Sequence, residues 1–280
     1  MIVVTGATGN VGRSLVESLA ESGHAVTAVS RGVSSPPPSR PGVTPIAADL
    51  ADVDSLIPAL KGADALYLLV SGAGAHVDGE ALLQAAADAG VSRVVLQSSQ
   101  AAGTRPDAVS HAPLAALEET VRSSGLEWTV LRPGGFATNT FAWIPSIRAQ
   151  RTVFSPFGDV ALPAVDPLDI AEVAAAALTD TGHSGQTYVL TGPEATSPRQ
   201  RAQILAAALG EPLEFVEVTR EQAREQMLRQ MPESVADGTL DILGQPLPEE
   251  LRISPDVEKV LGRPATSFAS WVGRSVDAFG

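Results

Sequence analysis

The sequence contains no cysteine, only two lysines and two tyrosines, and few cationic residues overall. Without cysteine, disulfides, thiol nucleophiles and thiolate metal sites are excluded, and the four histidines do not make a metal set, so we expect no metal. The 280 residues carry 19 lysines and arginines against 32 acidic residues, a formal net charge of −13. Nucleic acids and anionic membranes require basic faces. We therefore expect neither as a partner.

Long apolar runs are also missing. None reaches the roughly 18 residues that a membrane span requires. The first predicted strand begins at Ile2, which leaves no room for a cleavable signal peptide. We therefore expect a cytoplasmic protein of one large domain or two joined lobes. The oligomeric state cannot be inferred from the sequence.

Three regularly spaced glycines near the start of the chain indicate a binding site. The stretch "TGATGNVG" places Gly6, Gly9 and Gly12 between an apolar strand and an amphipathic helix. In such a turn, the first glycine permits a tight bend, the second admits a pyrophosphate and the third allows close helix–strand packing. The helix N-terminus adds free amides and partial positive charge. The sequence therefore predicts a dinucleotide-phosphate site here.

Strands alternate with helices through the first half of the chain. The strands are apolar on both faces, which is typical of a parallel sheet covered by helices on each side. We predict an α/β fold with a doubly wound parallel Rossmann sheet in residues 1–150, joined by a late strand near 186–192. Residues 151–280 are predicted to form a smaller α+β substrate lobe, mostly helical, that makes one wall of a cleft.

The second strand ends in "VSRG", with Arg31 where NAD-specific proteins usually carry an acidic ribose ligand. An arginine there suits a 2′-phosphate, because its planar fork binds phosphate well; the alternative is a solvated surface arginine. Asp49 and Leu50 follow the third strand and are predicted to reach the adenine. A plain turn aspartate is the alternative for Asp49.

Several segments together resemble the NmrA-like branch of the atypical short-chain dehydrogenases/reductases. They are "TGATGNVG" (5–12), "KGADALYLLV" (61–70), "RVVLQSS" (93–99), "LEETVRSSGLEWTVLRPGGFATN" (117–139), "VDPLDIAEVAAAAL" (165–178) and "YVLTGPEATS" (188–197). This branch includes NADPH-dependent quinone reductases and NADP-sensing regulators, and the resemblance extends to about residue 230. It implies NADP(H) binding by Gly6, Thr8, Gly9, Asn10, Val11, Gly12 and Arg31.

The resemblance also implies that the nicotinamide lies near the ends of the fourth, fifth and sixth strands. The cofactor-binding residues expected there are Val70, Ser71, Gly72, Ser98, Pro133 and Phe136.

One departure from the family is large. Classical members protonate a carbonyl oxygen with a tyrosine, assisted by a lysine four residues later. The corresponding window here, "SHAPLAALEE" (110–119), holds neither residue. His111 and Ser99 remain as candidate catalytic residues. His111 has a side chain suited to proton donation, or it simply caps the following helix. Glu118 and Glu119 are interpreted as ordinary helix-face residues.

These observations favour an NADPH-dependent reductase of a flat, conjugated small molecule such as a quinone or enone. Such acceptors give a stabilised anion on hydride addition, so they need a weaker enzyme acid than a simple ketone. A non-enzymatic NADP-binding redox sensor is the alternative, since the missing Tyr–Lys pair suits it too. An isomerase or dehydratase that keeps its cofactor bound is a third option.

Overall fold

A computed structural model describes residues 1–32, 40–70, 74 and 76–280. The predicted cofactor residues Ser71 and Gly72 lie outside this described part. Within it, no helix is both long and apolar enough to cross a bilayer.

Twelve strands can be followed through the described residues. In chain order they are β1 (Ile2–Thr5), β2 (Val26–Ser30), β3 (Val43–Ala47), β4 (Ala65–Leu69), β5 (Arg93–Gln97), β6 (Glu127–Pro133), β7 (Gly135–Phe136), β8 (Thr152–Ser155), β9 (Leu162–Val165), β10 (Gln186–Leu190), β11 (Ala195–Thr196) and β12 (Glu214–Glu217).

The helices are α1 (Asn10–Glu21), α2 (Val53–Leu60), α3 (Gly79–Asp88), α4 (Gln100–Thr104), α5 (Ala112–Ser123), α6 (Ile144–Gln150), α7 (Pro167–Thr179), α8 (Pro198–Leu209), α9 (Arg220–Met227), α10 (Glu233–Gly244), α11 (Asp256–Leu261) and α12 (Phe268–Ser275). Two 3-10 turns cover Ala137–Trp143 and Val276–Ala278.

The central sheet has seven strands in the order β10-β6-β5-β4-β1-β2-β3. Every pairing in it is parallel, as the apolar strands predict. Strands β2 and β3 are added on one side of β1, and β4 to β6 are added on the other, so the strand order reverses between β1 and β4. Ligands of open α/β sheets bind at such a point, outside the carboxyl ends of the strands. The predicted late strand is confirmed, since β10 joins the sheet beside β6.

Apolar layers cover both faces of this sheet. On one face, side chains of β1, β4 and β5 pack against α1, α7 and α11. The opposite layer packs α2, α3 and α5 against the same strands. This double coverage explains why the strands carry no alternating polar face.

Outside the main sheet, the chain forms two small sheets that the sequence pattern did not reveal. One has the order β11-β9-β7, and the other pairs β12 with β8 in parallel. Strands of two to four residues have too few side chains to show a period. A separate apolar cluster around Phe268, Trp271 and Phe279 joins α8 and α12 to this region. The division at residue 150 stays a prediction, and α7 packs against α1 of the first half.

Candidate active site

The glycine turn between β1 and α1 has the geometry of a phosphate loop. Gly6 has a φ of +63°, a conformation that favours glycine. A Cβ at Gly12 would lie 2.2 Å from the carbonyl oxygen of Gly6, so the third glycine is required by packing. A Cβ at Gly9 would meet only that same oxygen, at 3.3 Å. Gly9 is therefore the position at which space is left for a ligand.

The first amides of α1 are available to such a ligand. Gly9 is the N-cap and supplies no side-chain hydrogen bond. In the described chain, the backbone amides of Asn10 and Val11 have no hydrogen-bond partner. The side chain of Asn10 instead donates to Oγ1 of Thr138 at 3.3 Å, which fixes the chain after β7 beside the loop. These unpaired donors fit an anionic pyrophosphate.

A cleft with a volume of about 100 Å³ opens beside the phosphate loop, at the ends of β1, β2 and β3. It brings together four predicted cofactor residues that are separated in the sequence: Gly6, Arg31, Asp49 and Leu50. Ser30 and His76 line it as well. His76 was not predicted, because a lone histidine in a turn gives no pattern. Thr8, Gly9 and Asn10 line a neighbouring groove, next to this cleft along the loop.

Within the cleft, Arg31 and Asp49 differ in how they are held. Arg31 is exposed immediately after the end of β2. Asp49 already accepts a hydrogen bond from the amide of Ala51 at 3.1 Å. Its own amide donates to Oγ of Ser55 at 3.0 Å. Asp49 therefore forms a turn and also lines the cleft. Its contact with the adenine stays a prediction.

Farther along the carboxyl edge of the sheet, Val70, Ser98 and Pro133 lie at the ends of β4, β5 and β6, and Phe136 lies in β7. None of these four residues lines the cleft. Val70, Ser98 and Pro133 are buried, and Phe136 is half-buried. Ser98 is not free to contact a ligand in this arrangement. Its hydroxyl donates to Oε1 of Glu118 at 2.6 Å.

The prediction that Glu118 is an ordinary helix-face residue is wrong. Its side chain is fully buried and accepts from Arg132 at 3.0 and 2.6 Å and from Arg122 at 2.7 Å. Burial raises the pKa of this carboxyl, but hydrogen bonds from Arg132 and Ser98 outweigh burial, so its pKa is lowered. The signal was present, since position 118 shares the apolar face of Leu114 and Val121.

Neither tyrosine can serve as the family's proton donor. Tyr67 is fully buried in β4 and donates to Oε1 of Gln97; burial raises the pKa of its phenol. Tyr188 lies in β10, where its hydroxyl is 2.9 Å from Nδ1 of His183. Lys259 approaches the ring of Tyr188 at 5.9 Å. This tyrosine and lysine do meet, but His183 precedes β10, so the contact lies toward the opposite edge of the sheet.

The two candidate catalytic residues occupy separate environments. Ser99 is the N-cap of α4 and accepts from the amide of Ala101 at 3.2 Å. His111 precedes α5 without capping it, and its Nδ1 is 2.9 Å from Oγ of Ser110. Burial lowers the pKa of His111, and the positive charge of Arg105 lowers it further. Among the described residues, no hydrogen bond joins Ser99 to His111.

A distant part of the chain lies against this edge. Glu250 is buried and accepts from Nε and Nη2 of Arg105 at 2.8 and 2.9 Å. It also accepts from Oγ1 of Thr104 at 2.8 Å. Sequence reasoning missed this pair, because the two partners are 145 residues apart and each resembles an ordinary surface charge.

The NmrA-like family model matches residues 1–242, so the chain belongs to the NmrA-like family, and the predicted resemblance is confirmed. Over its full length, the chain is 37% identical to (4-alkanoyl-5-oxo-2,5-dihydrofuran-3-yl)methyl phosphate reductase from Streptomyces griseus, covering 99% of that protein. It is 35% identical to the NAD(P)H azoreductase of Xenophilus azovorans, covering all of this chain and 99% of that one.

Among solved structures, the chain is similar to an NADPH-dependent quinone oxidoreductase from Escherichia coli complexed with NADPH. The TM-score is 0.78 at 26% identity, with 99% of each chain covered. The predicted fold class, a doubly wound parallel α/β sheet, is confirmed.

Proposed function

We propose that this protein reduces a flat, conjugated acceptor of the quinone or enone type with NADPH. It is an NAD(P)H-dependent oxidoreductase of the NmrA-like family, with NADP(H) as its cofactor. The observation that carries the finer proposal is the contrast between the two ends of the predicted cofactor site. A phosphate loop and Arg31 line one end, while the other has no tyrosine available among the described residues.

The residues of the chain fit this cofactor. The amides of Asn10 and Val11 would bind its pyrophosphate, and Arg31 would bind the 2′-phosphate. Asp49, Leu50 and His76 line the space for the adenosine. When bound, the cofactor supplies a hydride to the acceptor. The chain holds the two partners close together, an effect worth as much as about 7–11 kcal/mol in favourable cases.

The acceptor class follows from the missing acid. A simple ketone becomes an alkoxide on hydride addition and needs a proton donor at once. A quinone spreads the charge over its ring and takes its protons from water afterwards. Ser99 and His111 are the polar candidates for any direct proton transfer.

Charge at this end favours an uncharged acceptor. The guanidinium of Arg132 lies under Gly103 of α4, and it is held by Glu118. Arg105, which follows α4, is held by Glu250. Neither arginine is free to bind a phosphate. In this respect the chain would differ from the Streptomyces griseus relative, whose named substrate carries a phosphate.

The test is an NADPH-oxidation screen over quinones, enones, aldehydes and simple ketones, beside a thermal-shift measurement with NADPH. We expect turnover of quinones or enones and poor reduction of unactivated ketones. Stabilisation by NADPH without turnover of any acceptor would instead favour the redox sensor, which the missing Tyr–Lys pair also permits. Activity on a phosphorylated enone far above that on its uncharged analogue would contradict the assignment of an uncharged acceptor.

A further inference from the structure

Residues 245–251, here called the 245–251 segment, lie against α4. Gln100 donates to the carbonyl oxygen of Glu249 at 3.3 Å. The side-chain oxygen of Gln100 also lies over Gly134, where a Cβ would approach it to 3.1 Å. Gln100 therefore bridges the end of β6 and the 245–251 segment. Because α4 begins one residue after Ser99, the segment is fixed beside the predicted hydride end of the cleft.

One carboxylate makes most of this attachment. Glu250 accepts four hydrogen bonds: two from Arg105, one from Thr104 and one from the amide of Leu247 at 2.9 Å. Arg105 also donates to the carbonyl oxygen of Gln245 at 2.9 Å. Both ends of the segment are thus tied to α4 through a single buried ion pair.

The chain continues across the sheet edge after this segment. The amide of Ser254 donates to Oγ1 of Thr191 at 2.9 Å. The carboxylate of Asp256 accepts from the amide of Val189 in β10 at 2.9 Å. Residues 245–256 therefore run from α4, which follows β5, to β10, the edge strand beside β6.

Exposed apolar side chains are concentrated along this path. Seven large apolar side chains are exposed in the described residues, and three of them, Leu247, Leu251 and Ile253, belong to it. Val109, which precedes Ser110 in the chain, is also exposed, at 77%. Such side chains suit the wall of a site for a flat, apolar acceptor.

We propose that Glu250 is a positioning residue for acceptor binding: it clamps the 245–251 segment onto α4 and so sets the width of the acceptor site. The proposal rests on the proposed reductase function. Glu250 itself is buried in the clamp and takes no part in proton transfer. Its loss releases the segment, leaves the phosphate loop intact and widens the acceptor site.

The experiment compares Glu250→Ala, Arg105→Lys and Thr104→Val with the wild type. Thr104→Val removes one hydrogen bond without leaving a buried charge unpaired, so it keeps the test valid if Glu250→Ala folds poorly. Asp169→Asn is the matched control. Asp169 is also a fully buried carboxylate held by an arginine, Arg263, at 2.9 Å, but it fastens residues 263–266 to α7.

The readouts are the dissociation constant for NADPH, KM and kcat, and acceptor affinity for the NADP⁺-loaded protein by tryptophan fluorescence. The probes are a one-ring benzoquinone and a three-ring phenanthrenequinone. We expect Glu250→Ala to raise KM for the smaller quinone about tenfold, equivalent to about 1.4 kcal/mol. The preference should shift toward the larger quinone, and NADPH affinity should be unchanged. Thr104→Val should shift KM and the acceptor preference in the same direction as Glu250→Ala, but by less. The shifts in Arg105→Lys should lie between those of the other two variants.

Asp169→Asn should lower the melting temperature and leave the acceptor preference unchanged. The proposal is overturned if Glu250→Ala lowers stability but keeps the wild-type KM and acceptor preference, or if Asp169→Asn shifts that preference equally. Absence of turnover by the wild type contradicts the proposed function instead. Quinone affinity for the NADP⁺ complex then still decides whether Glu250 sets the width of the site.

Discussion

The two ends of the predicted cofactor cleft are built in different ways. The adenosine end comes from short consecutive pieces: a strand, a glycine turn and a helix, followed by Arg31 at the end of the next strand. The hydride end depends on ion pairs between distant residues, above all Arg105 with Glu250 and Arg132 with Glu118. We therefore expect local backbone geometry to define cofactor binding, and long-range packing to define what the cofactor can react with.

The largest expected effect on cofactor binding breaks the adenosine end alone. A branched side chain at Gly9 would occupy the space predicted for the pyrophosphate, and its Cβ would meet only one backbone atom of the protein, at 3.3 Å. Gly9→Val should weaken NADPH binding by about a hundredfold or more, equivalent to at least ~2.7 kcal/mol, while the protein stays folded. Calorimetric titration with NADPH and circular dichroism measure the two properties.

Gly12→Ala provides the contrast for this experiment. Its Cβ would collide with the carbonyl oxygen of Gly6 at 2.2 Å, so we expect loss of folding as well as loss of binding. Full stabilisation of Gly9→Val by NADPH would mean that the glycine turn is not the phosphate site.

The second effect concerns the framework of the hydride end. Glu118→Gln leaves Arg122 and Arg132 without their buried counter-charge, a change that typically costs about 3–5 kcal/mol of unfolding free energy. Denaturant unfolding measures it. Glu119→Gln is the matched control, because Glu119 is exposed and, among the residues that the structure describes, its carboxylate pairs only with Arg122; little change is expected there. Equal losses of unfolding free energy in Glu118→Gln and Glu119→Gln would contradict the argument that burial makes the Glu118 ion pairs stronger.

The same variant should alter the dependence of stability on pH. The folded-state pKa of Glu118 is lowered, so its contribution is complete above the ordinary carboxyl range and is lost as pH falls through the folded-state value. The wild type should therefore lose stability more steeply in acid than Glu118→Gln does. Parallel curves would show that this carboxylate is not the group that titrates.

The contrast between the two ends also explains what the sequence could predict. The parallel sheet, the glycine turn and Arg31 each follow from neighbouring residues, so propensity and spacing were sufficient. Glu118 could have been recognised from its position on the apolar face of α5. Glu250 could not, because nothing near it in sequence distinguishes it from an exposed acid. Its burial depends on Arg105, which only the tertiary fold brings into contact.

A smaller effect sharpens the assignment of the adenosine end. A charged hydrogen bond from Arg31 to the 2′-phosphate contributes about 1.5–3 kcal/mol, which corresponds to roughly tenfold to a hundredfold in affinity. Arg31→Ala should lose that factor for NADPH and keep its affinity for NADH. Titration of both cofactors against both proteins measures this difference. Equal binding of NADH and NADPH by the wild type would remove the assignment of Arg31.

The smallest expected effect concerns His111, at the hydride end. A general acid must carry its proton when the hydride arrives, and general acid catalysis contributes at least about a hundredfold. Burial and the charge of Arg105 lower the pKa of His111, so its imidazole is mainly neutral at neutral pH. We therefore expect His111→Ala to reduce quinone turnover by far less than this factor.

The pH profile makes this expectation decisive. If His111 donates the proton, wild-type kcat should rise as pH falls through its lowered pKa, and the alanine variant should lose that rise. If catalysis depends mainly on the close approach of hydride donor and acceptor, the pH profiles of kcat for the wild type and for His111→Ala should both be flat in this range. Ser110→Ala serves as the control, since it removes the hydrogen bond at Nδ1 and keeps the imidazole. Its profile should match that of the wild type unless the tautomer of His111 matters. A hundredfold loss confined to His111→Ala would identify the histidine as the acid and would extend the acceptors to less activated carbonyls.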